Sequence, residues 1–158
     1  MMRRSFLTSV LSGSVMMATV ALGSLFGGIV GATNAQAGET PSAPDAQVYF
    51  IGIEDGATIS GPVTVVFGLK GMGVAPAGTE KAGTGHHHLL IDTDLPTGED
   101  LDYSVPSDEN HRHFGGGQTE MVLELAPGTH TLQLLLADQN HIPHNPPVFS
   151  DKITITVE

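Results

Sequence analysis

The chain has 158 residues, no cysteine and a formal net charge of −11. Without cysteine it can form neither disulfides nor thiolate metal ligands. All 17 acidic residues but only four of the six basic ones follow residue 37, so the sequence lacks the clustered Lys and Arg that bind a phosphate backbone. Nucleic acid is therefore excluded as a partner.

The first 37 residues have the pattern of a cleaved export signal. A basic start precedes a long apolar stretch, and Ala35-Gln36-Ala37 is typical of a cleavage site. Residues 3–7 (RRSFL) resemble the twin-arginine export motif, although Met2 and Thr8 depart from it. The sequence predicts a periplasmic or extracellular protein, exported by the twin-arginine or the ordinary route, with no membrane span after cleavage. An uncleaved anchor is the alternative, since about 20 apolar residues can span a bilayer.

After the signal, a leader and one domain are expected. Residues 38–46 (GETPSAPDA) are small, polar and proline-bearing, which is typical of a flexible leader. Residues 47–158 fit a single domain of the usual size, about 100–150 residues. Within it, alternating apolar residues between turn signals predict strands. They are 47–53, 63–69, 86–92, 119–125, 129–137 and 148–157, with a further short strand within 93–118.

These strands and the lack of a helical period predict an all-β fold. We expect a single immunoglobulin-like antiparallel β-sandwich of about seven strands, with a small Greek-key barrel as the alternative. The short turn Ala126-Pro127-Gly128 indicates a hairpin between 119–125 and 129–137. In the second of these strands Leu132, Leu134 and Leu136 share a core face, with His130 at its edge.

The stretch GHHHLLID, residues 85–92, opens a strand with three histidines. Successive side chains of a strand point to opposite faces, so His86 and His88 share one face. His87 shares the other face with Leu89 and Ile91 and is expected to be buried structure. Two imidazoles on one face can bind the same ion.

The sandwich topology predicts which other histidines approach this pair. The loops 70–85 and 138–147 fall at the same end of the sandwich, where the histidine strand begins. If the chain returns to that end within 93–112, His111 and His113 also lie there. His130 begins its strand at the opposite end and is expected to stand apart. The predicted metal ligands are His86, His88, His111, His113, His141 and His144.

Neutral imidazole is a common ligand of copper and zinc, which are the metals expected here. Met72 would add a thioether for Cu(I) if it lay nearby, although a lone Met more often fills space. Two interpretations without a metal stay open. The histidines can form a structural hydrogen-bond cluster, or they can serve a module that binds a cell-envelope polymer or acidic ligand.

Other chemistry has less support in the sequence. The acidic stretch from Asp92 to Asp102 carries hard oxygen ligands for Ca²⁺ but lacks EF-hand spacing, which favours a solvated loop. The hydrolase, zinc-protease and phosphate-loop motifs are absent from the sequence. No catalytic residue is therefore predicted. A metal oxidoreductase would need an open coordination position and a substrate cleft.

The segments GHHHLLIDTDLP, ENHRHFGGGQTE, PGTHTLQLLLADQNHIPHNPP and KITITV resemble a bacterial exported, histidine-rich family catalogued as a domain of unknown function. The resemblance runs from Val48 to Val157. It implies a single small exported β domain and carries over no catalytic role. Neither the oligomeric state nor a physiological partner follows from it.

Overall fold

A computed structural model describes residues 40–158, and the predicted export signal lies outside these residues. The described residues contain ten strands and one short 3-10 helix, Gly98–Asp102. The strands are β1 (Gln47–Ile51), β2 (Ala57–Ile59), β3 (Val63–Lys70), β4 (Gly73–Val74), β5 (Thr84–Ile91), β6 (His111–His113), β7 (Glu120–Leu123), β8 (Gly128–Ala137), β9 (Pro143–Phe149) and β10 (Ile153–Val157).

The strands form two sheets of three and seven strands. The smaller sheet has the order β1-β3-β7, with both pairs antiparallel. The larger sheet has the order β2-β10-β8-β5-β4, with β6 paired to β5 and β9 paired to β8. The predicted all-β sandwich is confirmed. It has ten strands instead of about seven, because β2 and β4 are too short to give an alternating pattern and the predicted last strand is two strands.

The main core lies between the two sheets. Val65 and Phe67 of the smaller sheet pack in one cluster with Leu89, Leu132 and Leu134 of the larger one. The alternation of β5 and β8 turns these leucines to one side, so both strands contribute to the same layer. The expected core face of β8 is confirmed.

A second, smaller cluster covers the opposite face of the larger sheet. Leu90 and Leu135 pack there against Val105, which belongs to the long connection between β5 and β6. Because both faces are covered, every residue of β5 is buried. Strand β5 is therefore an interior strand, and the side of it that carries His86 and His88 faces this second layer rather than solvent.

The predicted hairpin of 119–125 with 129–137 is wrong. Strand β7 pairs with β3 in the smaller sheet, whereas β8 pairs with β5, β9 and β10 in the larger one. The turn at 126–128 therefore carries the chain from one sheet to the other. Local alternation cannot distinguish this crossing from a hairpin, because each strand buries one face in either arrangement.

The predicted last strand, 148–157, is two strands. Strand β9 begins earlier than expected, at Pro143, and β10 begins at Ile153. Between them Ser150 is buried, and its hydroxyl accepts a hydrogen bond from the Leu134 amide at 2.9 Å. This side-chain contact replaces regular pairing, so the break is an ordered part of the sheet.

Candidate metal centre

Strand β5 supplies two of the histidine side chains, and its neighbours in the sheet supply the framework for the others. His86 lies opposite Ala137 of β8, and His88 lies opposite His113 of β6. The alternation of β5 places both rings on one face, and both are buried, with exposures of 0% and 1%. His113 reaches the site as part of a neighbouring strand and not from a loop at the rim.

Four imidazole rings converge at this point. They belong to His86, His88, His113 and His141, and one nitrogen from each lies within 4.8 Å of the corresponding nitrogen in every other. The ring centroids of His113 and His141 are 4.5 Å apart with nearly perpendicular planes, and those of His86 and His88 are 4.9 Å apart. The rings therefore surround a common point and are not stacked.

The Nε2 atom of His86 lies at the centre of the close contacts. It lies 3.1 Å from Nε2 of His88, 3.2 Å from Nε2 of His113 and 3.0 Å from Nδ1 of His141. An imidazole nitrogen carries either one hydrogen or one lone pair, so it can make only one ordinary hydrogen bond. Hydrogen bonding among neutral rings thus accounts for one of the three contacts.

The spacing suits a cation bound by all four rings. A tetrahedral ion at 2.0–2.1 Å from each nitrogen places the nitrogens about 3.3 Å apart. A square-planar ion places adjacent nitrogens about 2.8 Å apart. The three contacts of His86 are within about 0.3 Å of the tetrahedral spacing, whereas a square-planar ion would place one of the three nitrogens opposite His86, about 4 Å away.

Burial favours the neutral form of His86, His88 and His113. Desolvation lowers the pKa of His86 to about 4, with further lowering by the neighbouring His113 and His141 and an opposing effect of Asp138. Desolvation, followed by the charge of His86, lowers the pKa of His88 to about 2. The pKa of His113 is also lowered, first by desolvation and then by His141. Neutral imidazole is the form that binds metal.

The loop after β8 positions His141, which is in the left-handed region with φ of 66°. Asp138 organises this loop, since its Oδ1 accepts hydrogen bonds from the amides of Asn140 and Ile142 at 2.8 and 3.0 Å. The His141 amide donates to the Asp138 carbonyl, and the His141 carbonyl accepts from the Val105 amide. These hydrogen bonds hold His141 in its strained backbone conformation. That conformation directs the His141 ring towards His86.

The two ring nitrogens of His86, and likewise those of His88, have different surroundings. The Nδ1 atoms of His86 and His88 are buried and make no hydrogen bond with residues 40–158. In a structural hydrogen-bond cluster and in a metal site alike, these atoms are usually capped by carbonyls, carboxylates or water. The contacts of this pair are thus concentrated on the nitrogens that face the other rings.

Two of the six predicted ligands lie outside the group of four. The Nδ1 atom of His111 lies 2.8 Å from Oδ1 of Asp108, and the ring lines a cleft of about 260 Å³ with Asp94 and Tyr103. His144 is fully buried, and its Nδ1 contacts the Thr40 carbonyl at 3.3 Å. The structure therefore brings together His86, His88, His113 and His141, and places the other two against separate partners.

The remaining histidines lie where the alternation predicts. His87 is buried on the core side of β5, with its ring centroid 5.4 Å from that of Phe67. His130 stands apart: its Nδ1 lies 2.7 Å from Oδ2 of Asp92, and its Nε2 lies 2.9 Å from the Ala126 carbonyl. Met72 packs against the main core. The four converging donors are therefore all imidazoles.

Sequence reasoning missed Asp138 and the segment before β1. Residues expected to form a flexible leader contact strand β9, because the Ser42 amide donates to the Asn145 carbonyl and the Asn145 amide donates to the Thr40 carbonyl. The signal for Asp138 was present in the sequence, since Asp two residues before Asn in a loop is typical of a side chain that caps nearby amides. No local pattern indicated the contact of Thr40.

Residues 65–158 match the model of a family described as domain of unknown function DUF4399. The chain belongs to the DUF4399 family. The histidines of the cluster all lie within the matched region, so the candidate site is part of the DUF4399 domain.

The other comparisons assign no activity to this DUF4399 domain. No curated protein matches the chain. A solved structure of an endo-beta-1,4-mannanase from Thermotoga petrophila is similar, with a TM-score of 0.40 and 19% identity, over 72% of this chain and 20% of that one. The chain thus spans about a fifth of that enzyme's length. Within residues 40–158 no helix is long and apolar enough to cross a membrane.

Proposed function

We propose that this protein is an exported domain that binds one transition-metal ion, copper or zinc, through His86, His88, His113 and His141. The observation that carries the proposal is the environment of Nε2 of His86, which has three other imidazole nitrogens within 3.2 Å. A shared cation accounts for all three contacts, whereas a proton accounts for one.

The donor set supports a borderline metal. Four neutral imidazoles suit Zn²⁺ and Cu²⁺, whereas Ca²⁺ and Mg²⁺ prefer oxygen ligands. Thiolates are unavailable because the sequence has no cysteine. Binding would add the charge of the ion to the cluster, and the carboxylate of Asp138, which is 2% exposed, lies on the same loop as His141 and would offset part of that charge.

The proposed location outside the cytoplasm rests on the first 37 residues. Their basic start, apolar stretch and small-residue cleavage site support export, and the cluster would then hold its metal in the periplasm or the extracellular space. Mass spectrometry of the protein recovered from the cell envelope or the medium tests this part. An N-terminus at Gly38 is expected, and a chain that keeps its first 37 residues would contradict it.

Metal analysis of protein purified without a histidine tag tests the binding itself. One equivalent of Zn²⁺ or Cu²⁺ is expected to bind at micromolar concentrations, and His86→Ala is expected to abolish this binding. His111→Ala is the matched control, because His111 pairs with Asp108 outside the group of four. No stoichiometric binding by the wild type, or equal binding by His86→Ala, would contradict the proposal.

A further inference from the structure

Residues 40–42 lie against the start of β9, next to the loop that carries His141, and we call them the N-terminal strap. Pro41 forms an isolated bridge with Asn145, and the backbone groups of Thr40 and Ser42 exchange hydrogen bonds of 2.9 Å with the same residue. The Ser42 hydroxyl also donates to the Pro146 carbonyl at 2.8 Å. The strap is thus paired to the chain just beyond the His141 loop.

One side-chain contact connects the strap to the centre of that loop. The Thr40 hydroxyl donates to Oδ2 of Asp138, while Oδ1 of the same carboxylate accepts from the amides of Asn140 and Ile142. Asp138 is 2% exposed, and a buried carboxylate is strongly destabilised when it loses a hydrogen-bond donor. The hydroxyl of Thr40 therefore helps to hold the carboxylate that shapes the loop.

The loop in turn determines where the His141 ring lies. His141 has a positive φ, which costs free energy for a residue with a side chain, and the Asp138 bonds on either side of it sustain that conformation. If the carboxylate turned away, the loop would relax and Nδ1 of His141 would move from its position 3.0 Å from His86. Ligand nitrogens must be held within a fraction of an ångström for tight binding.

We infer that Thr40 and Asp138 are positioning residues for the metal centre, and that docking of the strap and binding of the metal at His141 strengthen each other. The inference rests on the proposed metal-binding function. Coupling of this kind is reciprocal, so whatever the strap contributes to metal affinity, the metal contributes equally to docking of the strap. In the exported chain Thr40 would lie within a few residues of the new N-terminus.

Substitutions of Thr40 in the full chain test whether the strap contributes to metal affinity. Thr40→Val removes the hydroxyl at nearly constant volume and is expected to weaken Zn²⁺ or Cu²⁺ binding about 10- to 100-fold, as loss of an outer hydrogen bond to a metal site typically does. Thr40→Ser retains the hydroxyl and is expected to restore the affinity. The matched control is Thr84→Val, which loses a hydroxyl bonded to the Lys81 carbonyl at 2.8 Å. This control is expected to bind as the wild type does.

Amide hydrogen exchange of the wild type tests, without any substitution, whether the metal stabilises docking of the strap. Metal is expected to slow exchange at Ser42 and Asn145, whose amides pair the strap to the loop. If the wild type binds metal but Thr40→Val binds equally well, or exchange at these two amides does not change, the coupling is absent and the inference fails. If the wild type binds no metal, the proposed function itself fails.

Discussion

The Nε2 atoms of His86 and His88 lie 3.1 Å apart, and both side chains are buried on one face of the larger sheet. Residues two apart on a strand have backbones about 7 Å apart, so the two rings must lean towards each other. Their Nδ1 atoms have no partner within residues 40–158. Two buried rings thus direct their Nε2 atoms to one point.

The metal-free protein is expected to lose stability as the pH falls from about 6.5 to about 4. Burial holds the pKa of His86 and His87 at about 4 and that of His88 at about 2, whereas unfolded histidines titrate near 6.5. In this range the unfolded chain binds more protons, so acid favours unfolding. The urea midpoint measured between pH 7 and pH 4 checks this.

His86→Gln is the control for that pH dependence. It removes one histidine whose pKa is lowered in the folded state, so part of the loss of stability between about pH 6.5 and pH 4 is expected to disappear. A wild-type midpoint that does not change from pH 7 to pH 4 would show that these rings titrate in the folded state as they do in the unfolded chain.

Metal is expected to raise the stability of the folded protein. Binding to the folded state alone contributes about 2.7 kcal/mol to the free energy of unfolding when free metal is at 100 times its dissociation constant. The gain is expected to fall at acidic pH, where protons compete for the imidazoles. Thermal unfolding with and without Zn²⁺ measures it, and His86→Ala should show no gain. Equal stabilisation of that variant would indicate binding elsewhere.

His130 is expected to titrate above the usual value for histidine. The hydrogen bond with Asp92, supported by the Ala126 carbonyl, raises the pKa of this ring. Because the folded-state pKa is raised, the charged pair stabilises the fold at low pH and its contribution is lost as the pH rises through that pKa. Histidine resonances followed by NMR give the value directly.

Asp92→Asn is the matched test for that pair. It retains the shape of the side chain but removes the carboxylate, and the pKa of His130 is expected to fall towards 6.5. A pKa of His130 that is the same in both proteins would refute the pairing.

Gly85→Ala is expected to destabilise the fold by about 1–3 kcal/mol, as overpacking of a core typically does. A Cβ at Gly85 would lie 2.6 Å from the Ala137 carbonyl oxygen and 2.7 Å from Nε2 of His144. Gly73→Ala is the control, because its nearest neighbour is a methyl group of Thr84 at 3.4 Å. Urea unfolding of the two variants compares them, and equal stability would show that β5 can move away from β8.

The alternation of the histidine strand could be predicted from the sequence because it is a local property of extended chain. It separated His86 and His88 from His87, and the structure places the first two in the cluster and the third beside Phe67. The long apolar alternation of β8 likewise identified a core strand. These features depend only on the directions of side chains along a strand.

The pairing of strands could not be predicted in the same way. The pattern around residues 126–128 indicated a hairpin, but β7 and β8 belong to different sheets, since pairing depends on contacts far apart in the sequence. Similarly, spacing alone could not show that His111 pairs with Asp108 while His113 faces His86. The choice depends on the directions of individual rings, and Asp108 holds the ring of His111 away from the cluster.

X-ray absorption spectroscopy of the metal-loaded protein measures the ligands of the bound ion. We expect a first shell made up of nitrogen, with four scatterers at about 2.0–2.1 Å and the multiple scattering of imidazole rings. His111→Ala is expected to give the same spectrum, and His141→Ala is expected to lose one imidazole. A first shell of oxygen without imidazole scattering, or a spectrum that His141→Ala does not change, would contradict the proposed metal centre.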